Sequence, residues 1–200
     1  MGEPIDRGRR QLLTVATTLT GAVGVAFAAV PFLASWKPSA RAKALGAPVE
    51  IDISKLEPGS MLKIEWRGKP VLVVRRTPAM IEKLGGHDDR LADPGSERSK
   101  QPDYARNDAR AVNPEFFVVL GICTHLGCLP ASYFEARDTA DGLLGADWPG
   151  GFFCPCHGSK FDLSGRVYRG VPAPTNLEIP PYTFADSGHI VIGLDQSRVA

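Results

Sequence analysis

Cys123-Thr124-His125-Leu126-Gly127-Cys128 and Cys154-Pro155-Cys156-His157-Gly158-Ser159 decide how this chain is read. They hold all 4 cysteines, none outside the span from Cys123 to Cys156, and two of the 4 histidines. Each pairs a Cys with a His across one or two residues, so two turns brought together would present two thiolates and two imidazoles. That soft and borderline donor set suits zinc or an iron-sulfur centre. Zinc modules more often place Cys next to Cys in the near spacing, whereas Cys and His alternate here. Cys154 and Cys156 are too close in sequence to bridge each other comfortably. The spacing alone leaves both metals open.

Working outward, Glu115 to Gly121 (EFFVVLG) reads as a buried strand running into the first box, and Gly151-Phe152-Phe153 leads into the second. Val49 to Ile53, Met61 to Trp66 and Pro70 to Val74 have the alternation and β-branched content of short antiparallel strands. Thr77-Pro78 opens a short capped helix that Gly85-Gly86 stops. Tyr182 to Ala185 and His189 to Ile192 flank the turn signal Asp186-Ser187-Gly188, as in a closing hairpin. Gly85 to Pro114 is a polar stretch with little periodicity, and its length calls for a packing or functional reason. His87 within it, and His189, read as ordinary surface or strand residues. From about Val49 onward the chain is mainly β.

The 200 residues are 44% apolar and 22% charged, which suits a folding chain and excludes collagen-like or wholly disordered classes. A formal charge of +1 supplies no broad basic field, so nucleic acid is not an expected partner. That average hides a gap: from Gln11 to Trp36 there is no Asp, Glu, Lys, Arg or His. At about 1.5 Å per residue, the gap is long enough to cross a hydrocarbon core of roughly 30 Å. We expect a single transmembrane anchor over 11–36 in contact with lipid. A cytoplasmic N-terminus over 1–10 would precede it, and a flexible tether over 37–48 (KPSARAKALGAP) would follow. Arg9-Arg10 followed by Gln11-Leu12-Leu13 resembles the twin-arginine export address. Trp36 makes a poor cleavage site, which favours an uncleaved anchor. Basic residues are balanced on the two sides of the span, so they do not orient it.

CTHLGC and CPCHGS resemble the two cluster boxes of the Rieske [2Fe-2S] proteins of bacterial quinol:cytochrome c oxidoreductases, the cytochrome bc complexes. RRQLL with its anchor, the Ala-rich tether, EFFVVLG and the segment Gly170 to Leu177 follow that family in order and spacing, so the likeness spans nearly the whole chain. The resemblance implies an antiparallel β-sandwich head over 49–200 with an inserted cluster-binding subdomain at about 121–176. It implies one [2Fe-2S] cluster per chain, with Cys123 and Cys154 on one iron and His125 and His157 on the other. Cys128 and Cys156 would form a disulfide, which persists in an oxidising compartment. The head is therefore expected in the periplasm, held to the bacterial inner membrane by a single pass.

By the same resemblance, His157 contacts quinol, with ubiquinol the expected species, and couples proton to electron transfer. Ser159 donates to the cluster, Leu126 docks on cytochrome b, and Pro172 and Pro174 belong to a proline loop covering the site. The electron would pass to a membrane-bound cytochrome c in a dimeric complex, contributing to a proton gradient, with the head swinging on its tether. Replacing two thiolates by neutral imidazoles raises the potential of such centres to about −150 to +300 mV, a property of the class. Three other readings compete: a Rieske subunit of another exported oxidoreductase such as arsenite oxidase, a soluble Rieske ferredoxin or ring-hydroxylating oxygenase, and a structural zinc module.

Two departures and one charge pattern carry further expectations. The segment from Leu129 to Phe153 is longer than in short family members, and Tyr133 to Trp148 reads as a surface insertion. Residues 1–36, Lys37 to Pro114 and Glu115 to Ala200 carry +1, +4 and −4, so the segment bearing the boxes is acidic and should favour a lower potential. Many quinol-oxidising relatives carry Tyr where this chain has Phe161, so one hydrogen bond to a cysteine sulfur is missing. Phe161→Tyr is expected to raise the midpoint potential, and voltammetry showing no increase would refute this account of the tuning.

Overall fold

A computed structural model describes residues 6–135, 144 and 147–195 in two compact units, 1–44 and 45–200. The first unit is dominated by helix α1 (Arg7–Ser35), whose cap Asp6 accepts from the amides of Gly8 and Arg9. The helix therefore starts ahead of the uncharged stretch and takes the arginine pair into its first turn; residues 1–5 of the expected N-terminal segment lie outside the described residues. No α1 side chain is buried by protein, and α1 is long and apolar enough to cross a membrane. Its polar groups suit that setting. Thr14, Thr17, Thr18 and Thr20 each donate their hydroxyl to the carbonyl four residues back, so none needs water.

Within the segment read as a tether, α2 (Ala40–Leu45) is helical. Its Ala, Arg, Lys and Leu are strong helix formers, and the Ser39 hydroxyl accepts from the Ala42 amide at its start. A linker reading from composition overlooks so short a helix.

Among the described residues, the second unit contains three antiparallel three-stranded sheets. β1 (Val49–Asp52), β8 (Tyr182–Phe184) and β9 (His189–Ile192) form the first, in order β1-β9-β8. β2 (Met61–Trp66), β3 (Lys69–Arg75) and β4 (Phe116–Leu120) form the second, with Met61 opposite Val74 and Val73 opposite Val118. All of these were legible as strands. Val71 to Val74 and all of β4 are buried, which is why both segments read as continuous apolar runs rather than as alternation. The short helix α3 (Pro78–Glu82) starts at the expected Thr77 cap. The third sheet, β5 (Ala131–Tyr133), β6 (Gly151–Phe153) and β7 (Lys160–Phe161), carries the two boxes, and β5 and β7 are too short to show a sequence period.

The polar stretch from Gly85 to Pro114 packs tightly despite having only two short 3-10 turns, Asp88–Arg90 and Asp103–Ala105. Arg110 is fully buried and donates to the carbonyls of Ser164, Gly165 and Leu177 and to the Gln101 side chain. Arg76, also buried, donates to the Ala109 carbonyl and lies 4.6 Å over the Phe117 ring. Asp162, just past the second box, accepts from the amides of Ser164 and Arg166 and from Arg166 Nε at 2.7 Å. Arg166 reaches on to the Leu84 carbonyl and to Asp88.

His87 corrects the surface reading. It is 8% exposed, its Nε2 is 3.3 Å from Asp162 Oδ2, and its ring stacks on Tyr168. A polar loop bent inward by buried ions carries no apolar signal to reveal this. His189 sits half-buried on β9 as expected, 2.9 Å from Asp186.

Burial pushes the Asp162 carboxyl up, but the His87 contact and the Arg166 charge and amide outweigh it and hold the carboxyl below its ordinary range. A depressed carboxyl contributes stability above the ordinary carboxylate range, and that stability is lost as pH falls through the folded-state value. Asp162→Asn should therefore cost about 3 kcal/mol, because it removes the buried one of the two carboxylates that pair with Arg166 and leaves only the half-exposed Asp88. Thermal denaturation at neutral pH, repeated toward pH 3, should show a lower melting temperature and a flatter acid dependence than the parent chain.

Candidate metal centre

The first box connects β4 to β5 and the second connects β6 to β7. Both loops close on themselves in the same way. The Cys123 amide donates to the Cys128 carbonyl at 2.8 Å and the Gly127 amide to the Cys123 carbonyl at 2.9 Å. In the second loop the Cys154 amide donates to the Ser159 carbonyl at 2.8 Å and the Gly158 amide to the Cys154 carbonyl at 2.9 Å. The fifth residue of each loop is a glycine in the left-handed region, Gly127 at φ 87° and Gly158 at φ 76°. This shared pattern makes Cys123 equivalent to Cys154, Cys128 to Ser159, His125 to Cys156 and Leu126 to His157. The histidines are thus offset by one position between two otherwise matching loops. The recurrence of Gly one residue before the end of each box is the sequence signal of this shared closure.

The Cys123 and Cys154 thiols are free and buried. Burial pushes the Cys123 thiol up, and the adjacent Cys154 adds to this, while the His125 amide and the Ser159 hydroxyl pull it down by donating to its sulfur. The His125 and His157 rings meet edge to face, with centroids 4.8 Å apart. His125 is half-buried, whereas His157 is exposed beside Pro155 and Cys156. A disulfide joins Cys128 to Cys156, as the resemblance implied. Cross-linking across 28 residues is worth about 3–4 kcal/mol on the chain-entropy account. Cys154 Sγ lies within 4.8 Å of both disulfide sulfurs, but bonded sulfurs make poor ligands, so that trio is no separate metal site.

A third segment closes over the loops. The Ala173 amide donates to Ser159 Oγ at 3.0 Å, and Thr124 Oγ1 donates to the Thr175 carbonyl at 2.6 Å. Ala173 is buried between Pro172 and Pro174, both exposed. Asn176 anchors the segment, donating to the Asp93 carbonyl and Ser96 hydroxyl and accepting from the Val167 amide. Thr124 and Asn176 were missed because nothing local distinguishes them from other polar loop residues. Leu126 is 72% exposed at the tip. Phe161 is fully buried on β7 opposite Phe152.

The expected insertion is not wholly superficial. Residues 136–143 and 145–146 lie outside the described residues, but Trp148 is buried, donates to the Tyr133 carbonyl and packs on Tyr168. An indole anchoring a loop from its far end has no periodic signature.

Residues 48–182 match the Rieske [2Fe-2S] domain family, and residues 5–39 match the "Ubiquitinol-cytochrome C reductase Fe-S subunit TAT signal" family. The ubiquinol-cytochrome c reductase iron-sulfur subunit of Allochromatium vinosum is 54% identical over 96% of this chain and 91% of its own length. Its counterpart in Blastochloris viridis is 44% identical over 92% of each chain. Among solved structures, a chain of a hyperthermophilic respiratory Complex III is 26% identical, covering 88% of this chain and 98% of its own, with a TM-score of 0.47.

The chain belongs to the Rieske iron-sulfur family. Its cofactor is accordingly a Rieske-type [2Fe-2S] cluster, and the twin-arginine signal and apolar helix make it a membrane-anchored, exported protein. The donor set fits that Rieske group: two adjacent buried thiols, with an amide and a hydroxyl aimed at one sulfur, and two imidazoles in contact.

Nothing lies within 4 Å of a Cβ built on Gly158, so Gly158→Ala meets only the backbone penalty of its positive φ. At about 1–2 kcal/mol, that should lower the temperature of cluster loss by roughly 2–8 °C. Visible absorbance followed during heating checks this, and an unchanged temperature would mean the loop tolerates another conformation.

Proposed function

We propose that this chain is the electron-transfer subunit of a bacterial quinol:cytochrome c oxidoreductase, in which Cys123 and Cys154 hold one iron and His125 and His157 the other. The observation that carries the reading is the difference in exposure: both thiols are buried, while His157 stands open at the tip in contact with His125. Bound there, a [2Fe-2S] group supplies one-electron redox chemistry at a potential suited to quinol. The chain's own residues supply the rest. His157 offers quinol a hydrogen-bond partner and, through the ring nitrogen not given to iron, a place for its proton. Leu126 offers apolar surface for docking on cytochrome b. Ser159, held by the Ala173 amide, aims its hydroxyl at the Cys123 sulfur and so donates into the site where the cluster is held. Pro172 and Pro174 lack amide protons and stiffen a cover that limits water.

The partners in this reading are cytochrome b, a membrane-bound cytochrome c and quinol, within a dimeric complex. The N-terminus lies in the cytoplasm and the head in the periplasm, where the Cys128–Cys156 disulfide persists. The 37–48 segment, with its single short helix, links anchor and head.

Electron paramagnetic resonance of dithionite-reduced membranes should show a Rieske signal that shifts when a quinol-site inhibitor is added. His157→Ala should abolish quinol-dependent cytochrome c reduction. A signal indifferent to the inhibitor, together with undiminished turnover in the variant, would remove quinol from the reading.

A further inference from the structure

The segment that closes over the two loops has a support of its own, drawn from neither box. Asp93, itself buried, accepts from the amides of Glu97 and Arg98 and from the Ser99 hydroxyl, which wraps the chain from 93 to 99 into a tight loop. Asn176 reaches into that loop. Its Nδ2 donates to the Asp93 carbonyl and to Ser96 Oγ, both at 2.9 Å, and its amide donates to Ser99 Oγ at 3.1 Å. Its Oδ1 accepts from the Val167 amide at 2.8 Å, so both polar atoms of a side chain only 1% exposed are engaged.

Ser96 shows that contact with Asn176 outweighs backbone ease here. It is a buried non-glycine residue at φ 55°, in the left-handed region that costs an L-residue free energy. Glycine adopts that conformation freely, but would leave Asn176 Nδ2 with one acceptor instead of two. From Asn176 the chain runs back through Thr175, whose carbonyl accepts from the Thr124 hydroxyl, to Ala173, whose amide donates to Ser159 Oγ. A hydroxyl oxygen that accepts from one side has its proton directed elsewhere, and the Ser159 proton goes to the Cys123 sulfur.

We propose that Asn176, held by the Asp93–Ser99 loop, is a positioning residue that sets the cluster's potential by fixing the Ser159 hydroxyl through the Ala173 amide. The inference rests on the reading of Ser159 as a donor into the cluster site and adds what keeps that donor in line. Donors to a charged acceptor are the strong ones, and they weaken steeply when misaligned. An aligned donor to sulfur stabilises the more negative, reduced form, so losing alignment lowers the potential. A cover that merely kept water out would act with the opposite sign, because water admitted to the site also stabilises the reduced form. Leu177 is held independently, its amide donating to the Gly165 carbonyl and its carbonyl accepting from Arg110. Trimming Asn176 therefore loosens the stretch toward the loops and leaves the rest of the segment docked.

The test is a redox titration of the full-length chain in membranes, followed by the resonance signal of the reduced cluster. Asn176→Ala should lower the midpoint, shifting the oxidation–reduction equilibrium about threefold, or about 28 mV at 59 mV per tenfold for one electron. Ser96→Gly, which frees the backbone but removes one acceptor, should shift it the same way by less, and it carries the test if Asn176→Ala does not retain the cluster. In a Ser159→Ala background neither substitution should shift the midpoint further, since two residues acting through one bond do not add. Deuterium exchange at the Ala173 amide should quicken in Asn176→Ala. A midpoint unchanged or raised, a shift that persists without the Ser159 hydroxyl, or exchange at Ala173 as slow as in the parent would overturn the positioning role. A Ser159→Ala chain that keeps the parent midpoint would instead overturn the reading of Ser159 as a donor to the cluster.

Discussion

The site depends on two loops that close through the same pair of backbone hydrogen bonds, from the first cysteine's amide to the sixth carbonyl and from the fifth amide back to the first carbonyl. This closure forces the fifth residue into the left-handed region, which Gly127 and Gly158 occupy without the cost a side chain would add. It also turns both first cysteines inward and leaves the third and fourth positions toward the tip. One loop then presents His125 and Leu126, the other Cys156 and His157. The disulfide from Cys128 to Cys156 joins the sixth position of one loop to the third of the other. Two like loops thereby become an asymmetric pair with buried sulfur on one side and imidazole on the other.

Much of this was legible in the sequence because the chemistry is concentrated in a few residues. Strands β1 to β4, β8 and β9 announced themselves by alternation or by continuous apolar runs, and the Thr77 cap marked α3. What was hidden has a common physical character. β5 and β7 have three and two residues, too few to establish a period. Thr124, Asn176 and Arg110 act through backbone carbonyls and amides of distant segments, and a carbonyl has no letter in the sequence.

The long polar stretch from Gly85 to Pro114 shows why that matters. It contains almost no ladder, so the carbonyls it meets need donors from elsewhere. Buried guanidiniums supply them: Arg110 satisfies three carbonyls, Arg76 one, and Arg166 one along with two carboxylates. A guanidinium with five N–H groups can act as a hub where no strand can form. Burial lowers Arg76 to about 9 and Arg110 to about 10, so both remain charged at neutral pH. Asp162 offsets part of that charge while tying the arm beyond the second box to His87 and Arg166. The loop that looked least structured is therefore part of the frame that holds the second box.

Charge averaged along a sequence is a poor guide to the field at a site, because the fold brings together segments of different sign. The acidic half of this chain contains the ligand candidates, but the grooves beside the loops are lined by six cations from both halves and one carboxylate, Glu178. An exposed charge more than about 10 Å away is largely screened at 0.1 M salt, so charges lining the grooves beside the loops weigh more at the site than a segment's net charge does. Cations stabilise a more negative reduced cluster, so this arrangement opposes the lowering expected from the segment's net −4. It also separates two influences that the sequence had joined. The effect expected of the missing hydroxyl at fully buried Phe161 is a separate one, because it concerns a hydrogen bond inside the head. The surface field acts the other way, and salt can weaken it without touching that bond.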